Sequence, residues 1–290
     1  MSKAASELVL NADGSIYHCN IKPEHLADTV ITVGDPNRVE KVSRHFDSIE
    51  YKASKREIVT HTGTLNGKRL TVISTGMGTD NIDIVFSELD ALANINLETG
   101  EIKKDFRKLS FVRLGTSGAL QADIPVDSFV IGSHGLGLDG LLHYYVGSEA
   151  VMNKEIEDAF IQHVEWSVNK SRPYLVKGSE SLLNTLASEK TIEGITATAC
   201  GFYGPQGRFL RLQPNPADIN ERLTSFNYDG LRISNFEMET SAIYGLAAMM
   251  GHEALSVNAI VANRILGEFS ADSYKAVDAM IEYSLEKLTK

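Results

Sequence analysis

The stretch Phe111–Leu120 (FVRLGTSGAL) sets one arginine in an apolar run and follows it with Gly115, Thr116, Ser117 and Gly118. If Leu109 to Leu114 is a buried strand, Arg113 is its only charge, and a buried guanidinium needs an anionic partner or dense hydrogen bonding. The Gly-Thr-Ser-Gly segment reads as a tight turn bringing backbone N–H groups and two hydroxyls to one point, a construction suited to an oxyanion such as phosphate. An arginine paired with a core carboxylate beside an ordinary turn fits the same letters. Three further clusters carry chemistry. Gly34, Asp35, Pro36, Asn37 and Arg38 follow an apolar run, where a strand would end and open α/β sheets bind ligands; a Pro-initiated turn with a surface arginine is the plainer reading. In Cys200–Arg208 (CGFYGPQGR), Phe202 and Tyr203 offer a face, and Gln206 and Arg208 edge donors, to a planar polar heterocycle. The alternative is a surface loop with Phe202 packed inward. Glu237 and Glu239 flank Met238; a carboxylate accepting from vicinal hydroxyls holds a ribose, with methionine against the sugar's apolar face. Carboxylates favoured by a helix dipole are the simpler account of the same pair.

These residues need strands and helices to position them. Thr29–Val33 reads as a strand ending at Gly34, with a helical segment from Val39 to Phe46. Glu57 to Leu65 and Arg69 to Ser74 read as two strands joined by Asn66-Gly67, a strong hairpin signal. After the glycine turn Ser74 to Gly78, the residues Ile82, Val85, Phe86, Leu89 and Leu92 keep helical spacing. Ser128 to Gly132 reads as strand, Glu155 to Trp166 and Ser179 to Ala187 as helices, and Gly194 to Ala199 as strand. Leu231 to Tyr244 passes from strand to helix, and Leu255 to Ala262 is a last strand with Asn263 and Arg264 at its end. A closing amphipathic helix carries Tyr274, Val277, Ile281, Tyr283, Leu285 and Leu288 on its apolar stripe. Gly135, Gly137 and Gly140 satisfy GxGxxG by letter, but Leu141 to Val146 reads as extended and aromatic, not as the helix a dinucleotide site requires.

The succession of strands and helices, without repeat, low-complexity tract or linker, predicts an α/β fold: one domain over residues 1–290, a central mixed twisted sheet flanked by helices. Residues 1–14 form a polar arm. The hydrophobic content of 43% suffices for a substantial core, and a net charge of −10 argues against broad nucleic-acid or anionic-membrane binding. Cys19 and Cys200 form no metal or disulfide pattern. No signal-peptide core or membrane-length apolar run is present, so a cytoplasmic location is expected. The chain holds no Walker loop, HExxH or GxSxG, and none of its histidines forms an i, i+4 pair.

Taken together and in order, GDPNR, KRE, STGMG, RLGTSGA, FYGPQGR, NFEMET and the terminal NR resemble the nucleoside phosphorylase family, from about Tyr17 to the last helix. The resemblance implies the fold and a reaction, reversible phosphorolysis of a pyrimidine nucleoside, uridine, with inorganic phosphate as co-substrate and no cofactor. It implies that Gly34, Arg38, Arg113 and Thr116 hold phosphate, joined by Arg56 from a neighbouring subunit. Gln206 and Arg208 match the pair that reads the uracil edge, with Phe202 against the base. Met238 and Glu239 match the ribose clamp with Glu237 alongside, and His18 the neighbour's histidine that reaches the 5′-hydroxyl. Arg264 stands where purine-specific relatives carry an aspartate, which favours a pyrimidine. Of these, Arg113, Gln206, Arg208 and Glu239 are the expected catalytic groups. Relatives that bind K+ between subunits use a glutamate at Glu57, which is present, and a serine where this chain has Asn81. Residues donated across an interface imply a homo-oligomer, at least a dimer and in some relatives a hexamer. A purine phosphorylase, a nucleosidase using water, and a non-catalytic nucleoside-binding sensor are the alternatives.

Overall fold

Thr29–Val33 (β1) is buried along its whole length, as the uninterrupted TVITV run requires, and is followed at once by α1 (Pro36–Ser43) in a computed structural model that describes residues 4–290. The helix begins three residues earlier than the apolar spacing suggests. Asp35 accepts from the Asn37 backbone N–H at 2.9 Å, and Pro36 enters with its backbone already set for a first helical turn. The chain continues through β2 (Ser48–Lys55), β3 (Ile58–Leu65) and β4 (Lys68–Ser74). Asn66 and Gly67, at φ of 51° and 77°, make the tight turn between β3 and β4. Next come α2 (Thr79–Asn94), the two-residue strands β5 (Ile95–Asn96) and β6 (Glu101–Ile102), β7 (Ser110–Ala119) and β8 (Phe129–Gly137). Then follow α3 (Lys154–Val164), β9 (Tyr174–Lys177), α4 (Glu180–Leu186), β10 (Thr191–Thr198) and α5 (Ile219–Ser225). The chain ends with β11 (Asn227–Tyr228), β12 (Leu231–Glu237), α6 (Thr240–Met249), β13 (Glu253–Asn263), β14 (Glu268–Phe269) and α7 (Ser273–Leu288).

All strands but β5 and β6 belong to one mixed, 12-stranded sheet, whose main path runs β11-β12-β10-β8-β13-β7-β1-β4-β3-β2. β7 lies parallel to β1 and to β13, while β8 meets β13 antiparallel. At its far end β7 also pairs antiparallel with β12, Gly118 opposite Phe236 and Ala119 opposite Asn235. That pairing closes β12, β10, β8, β13 and β7 into a ring, the rest of the sheet running outward through β1. Helices cover the sheet with aliphatic and aromatic side chains, Phe86 of α2 against Phe111 of β7 at 4.3 Å among them. The expected α/β architecture with a flanked mixed sheet is the observed one.

Several local expectations need correction. The Gly-Thr-Ser-Gly segment is not a turn. It continues β7, in register with Asn258 to Ala262 of β13, because two neighbouring strands supply its backbone with partners. Leu141 to Val146 is not extended: Leu141–Tyr144 is a short 3-10 turn, started by Asp139 accepting from the Leu141 N–H at 2.7 Å. Gly135 and Gly137 lie within β8, so GLGLDG has no dinucleotide geometry. Tyr274 is 73% exposed, off the apolar stripe of α7, with the Lys41 ammonium 4.8 Å from its ring centre. β2 and β9 were not anticipated. The polar arm is partly ordered, Leu10 bridging to Ile16; residues 1–3 lie outside the described part.

Candidate active site

Strand ends converge on one cleft of about 660 Å³. β1 ends at Gly34 and Arg38, β4 leads into Gly76 and Met77, β7 contributes Arg113 and Thr116, and β12 ends at Glu237, with Met238 and Glu239 leading into α6. Phe202, Gln206 and Arg208 enter from the loop after β10. Ten of the residues expected to hold substrate therefore line a single concavity, with Asp35 and Ser117 from the same clusters, and with Phe236 and Phe269, which no sequence signal marked.

At one end the charges are buried and paired. Arg113, 4% exposed, places Nε 3.2 Å from Glu237 Oε2 and donates from a terminal nitrogen to Glu239 Oε2. Its other terminal nitrogen, Nη1, is buried without a hydrogen-bond partner. Arg113 thus has core carboxylate partners, while Nε, though close to Glu237, and Nη1 make no hydrogen bond. Space for this guanidinium is made by Gly115, where an added Cβ would fall 3.1 Å from Arg113 Nε and 2.6 Å from Asn258 Oδ1. Arg38 donates to the Leu114 carbonyl at 3.1 Å, and burial followed by the neighbouring Arg113 lowers its pKa.

Glu237 accepts from the backbone N–H groups of Glu239 and Thr240 and from the Thr198 hydroxyl at 2.7 Å, so it does sit at the start of a helix. Glu239 instead accepts from the Gly78 N–H at 2.7 Å, and burial, opposed by Arg113 and reinforced by Glu237, pushes its pKa up to about 7. Glu239 is therefore a carboxyl group whose charge turns on near neutrality.

The other end is a stack of planar donors on a loop. The Arg208 guanidinium lies 3.7 Å from the centre of the Phe202 ring and donates to the Phe202 carbonyl at 2.7 Å and to Gln206 Oε1 at 2.6 Å. Arg264 donates to the Gln206 carbonyl at 2.7 Å and also to Gln206 Oε1, with its guanidinium 5.3 Å from the Phe236 ring centre. Burial, then Arg208, lowers the Arg264 pKa to about 9. Two guanidinium groups thus hold the side-chain oxygen of Gln206, leaving its amide N–H groups as the free edge. Gly118 gives Arg264 room, since a Cβ there would meet its Nε at 2.9 Å.

Three expected residues do not line this cleft: Arg264 stands behind Gln206, and Arg56 and His18 lie elsewhere. Arg56 is exposed in the turn between β2 and β3, at φ 54°. His18, in the segment before β1, packs against α2, its Nδ1 2.6 Å from Glu88. Glu57 reaches the rim, where the Asn81 amide nitrogen donates to it at 3.5 Å. Among the described residues no group of three His, Cys, Asp or Glu side chains is placed to hold a metal, and no helix is long and apolar enough to cross a membrane.

The cleft thus sets buried arginines with carboxylates beside them at one end against an aromatic, donor-rich loop at the other. Residues 28–289 match the model of the phosphorylase superfamily, and the chain belongs to that family of nucleoside phosphorylases, enzymes that transfer a pentosyl group to phosphate. It is 32% identical to a uridine phosphorylase of Thermococcus kodakarensis, over 95% of this chain and 90% of that one. A DeoD-type purine nucleoside phosphorylase of Oceanobacillus iheyensis is 25% identical, over 94% of this chain and 99% of that one. The crystal structure of a Trypanosoma brucei nucleoside phosphorylase, described as showing uridine phosphorylase activity, superposes with a TM-score of 0.87 at 31% identity, covering 97% of this chain and 99% of that one.

Proposed function

We propose that the protein catalyses the reversible phosphorolysis of uridine to uracil and ribose 1-phosphate. The observation that carries the reading is the polarity of the cleft. Its lining carboxylates, Asp35, Glu57, Glu237 and Glu239, gather at the end of Arg38 and Arg113, and the base end offers Gln206, held from behind by Arg264, and Arg208. Phosphate held by Gly34, Arg38, Arg113 and Thr116 attacks C1′ as the C1′–N1 bond breaks. The bonding pair leaves with uracil, and the ribosyl group gains oxocarbenium character in between. Ionised Glu239 favours that cation and, with Glu237 and Met238, holds the ribose; the donors at the base end favour negative charge spreading onto the uracil oxygens. No cofactor or metal enters the step. A purine leaving group would call for a proton donor at the base end, and none of the lining carboxylates lies there.

The reading includes His18 and Arg56 as residues supplied to a neighbour's cleft, which makes the working unit at least a dimer and leaves room for a hexamer. Its support is that both lie off their own cleft, while Met77 on the rim, Tyr144 and Val146 expose apolar surface at 76%, 87% and 103%. Tyr145 joins the last two to α2 through its bond to Asp83. A second copy would cover that patch.

The deciding assay is release of uracil from uridine with and without inorganic phosphate, beside inosine. Phosphate-dependent uracil release without hypoxanthine supports the proposal. Release without phosphate would make the protein a nucleosidase, inosine cleavage alone a purine phosphorylase, and nucleoside binding without turnover a sensor. Mixing Arg113→Ala and Arg56→Ala chains, each expected to be inactive alone, and recovering activity would support donation across an interface.

A further inference from the structure

Glu88, on the half-buried face of α2, spends its whole carboxylate on the segment that carries His18. Oε1 and Oε2 accept from the His18 N–H at 2.9 and 3.0 Å, Oε2 accepts from the Cys19 N–H at 2.7 Å, and Oε1 lies 2.6 Å from His18 Nδ1. Two successive backbone N–H groups and a ring nitrogen around one carboxylate form a compact anion cradle. The rest of the segment is strapped from the opposite side by Lys55. Its ammonium donates to the Tyr17 carbonyl at 2.6 Å and to Asn11 Oδ1 at 2.9 Å, and sits 3.7 Å from the Tyr17 ring centre. The Tyr17 ring meets the His18 ring edge-on at 4.8 Å. Backbone, ring tilt and ring rotation at His18 are all constrained, although its side chain is 30% exposed.

We infer that Glu88 is a positioning residue for the ribose site. It fixes His18 as the Nδ1–H tautomer and presents Nε2 outward as a hydrogen-bond acceptor for the nucleoside 5′-hydroxyl. This rests on the reading of His18 given above. A carboxylate oxygen can only accept, so the proton of the 2.6 Å contact belongs to Nδ1, and a neutral ring is left with its lone pair on Nε2. Nothing else among the described residues bonds to Nε2; the atom stays available to a ligand in the neighbouring subunit's cleft. The isosteric Glu88→Gln keeps an oxygen for the backbone N–H groups and can turn its amide toward the ring. It therefore exchanges the tautomer without releasing the segment, and Nε2 becomes a donor.

The test compares kcat/KM for uridine with kcat/KM for 5′-deoxyuridine, alongside ¹⁵N spectra of the imidazole in the native oligomer, with the His18 signal assigned from His18→Ala. One well-aligned hydrogen bond to the 5′-hydroxyl is worth about tenfold in that ratio. His18→Ala and Glu88→Ala are both expected to bring the ratio near one. Lys55→Ala, which loosens the strap without touching the ring, keeps most of it. The spectrum is expected to show Nδ1–H in the native protein and Nε2–H in Glu88→Gln. A ratio unchanged in His18→Ala would remove the role assigned to His18 and this inference with it. A ratio lost in His18→Ala but kept in Glu88→Ala would overturn the positioning role alone, as would an Nε2–H signal in the native protein. Equal losses on both substrates in Glu88→Ala, with the ratio intact, would reduce Glu88 to a support of the fold.

Discussion

At one end of the cleft Arg113, Glu237 and Glu239 hang from two strands and the start of a helix, and each is 4% exposed. At the other, Phe202, Gln206 and Arg208 hang from the loop after β10, and Phe202 is 51% exposed. The first set is held by the same packing that holds the fold, so its charges can be neither moved nor removed singly without cost to stability. The second is held largely by contacts among its own members, Phe202, Gln206, Arg208 and Arg264; Gln206 is itself buried at 2% exposed, whereas Phe202 and Arg208 are the members that can be altered with least effect on the core. The contrast suggests where each kind of chemistry belongs. On the proposed reading, attack by phosphate draws on charges fixed in advance, and recognition of the base falls to a loop.

Variants at the two ends should therefore fail differently. Arg113→Ala is expected to do most damage. It strands two buried carboxylates, so loss of about 3–5 kcal/mol in denaturant unfolding should accompany a fall in kcat of at least two orders of magnitude, about the effect of losing an oxyanion donor or more. Arg208→Ala should cost about two orders of magnitude in kcat/KM, by the same comparison, while the unfolding midpoint stays put. If Arg208→Ala unfolds as readily as Arg113→Ala, the division between a structural end and an adjustable end is wrong.

Glu239→Gln sharpens the comparison through pH. The carboxyl titrates near 7 in the folded chain and lower when unfolded, so the folded state holds the extra proton between the two values. Its contribution to stability is thus present at low pH and is lost as pH rises toward about 7. Activity, which uses the ionised form, should rise over the same range. The rising limb of log kcat/KM near pH 7 should flatten in Glu239→Gln, and the variant should hold its unfolding free energy better than the native protein between pH 5 and 8. Persistence of that limb would assign it to another group. Phe202→Ala should have the smallest effect, about a tenfold rise in KM for uridine with kcat kept, in line with the loss of one aromatic contact.

The strand ends were legible because they combine apolar runs with glycine and arginine, and the Asn66-Gly67 hairpin because its turn permits few other residues. The course of Gly115 to Gly118 was not. A run of small residues says turn when read locally, whereas β13 on one side and β12 at its end make it strand, and those partners lie more than a hundred residues away in the chain. The same distance hid the partners of Arg113: nothing near Phe111 tells that Glu237 and Glu239 will meet it. The sets Gly34 to Arg38, Phe202 to Arg208 and Glu237 to Glu239 could be named as chemistry in advance. Phe236 and Phe269 could not, since an aromatic residue that lines a cleft and one that fills a core are written alike.

Gly115 faces the Arg113 guanidinium and Gly118 faces that of Arg264. Both cationic clusters are therefore spaced by a single strand, at three residues or about 10 Å of rise. β7 thus sets the distance between the two clusters from opposite faces of one strand, and the ring closure with β12 fixes where its end lies. On the proposed reading, a change in the length of this one strand between Gly115 and Gly118 would alter the anion end and the base end together.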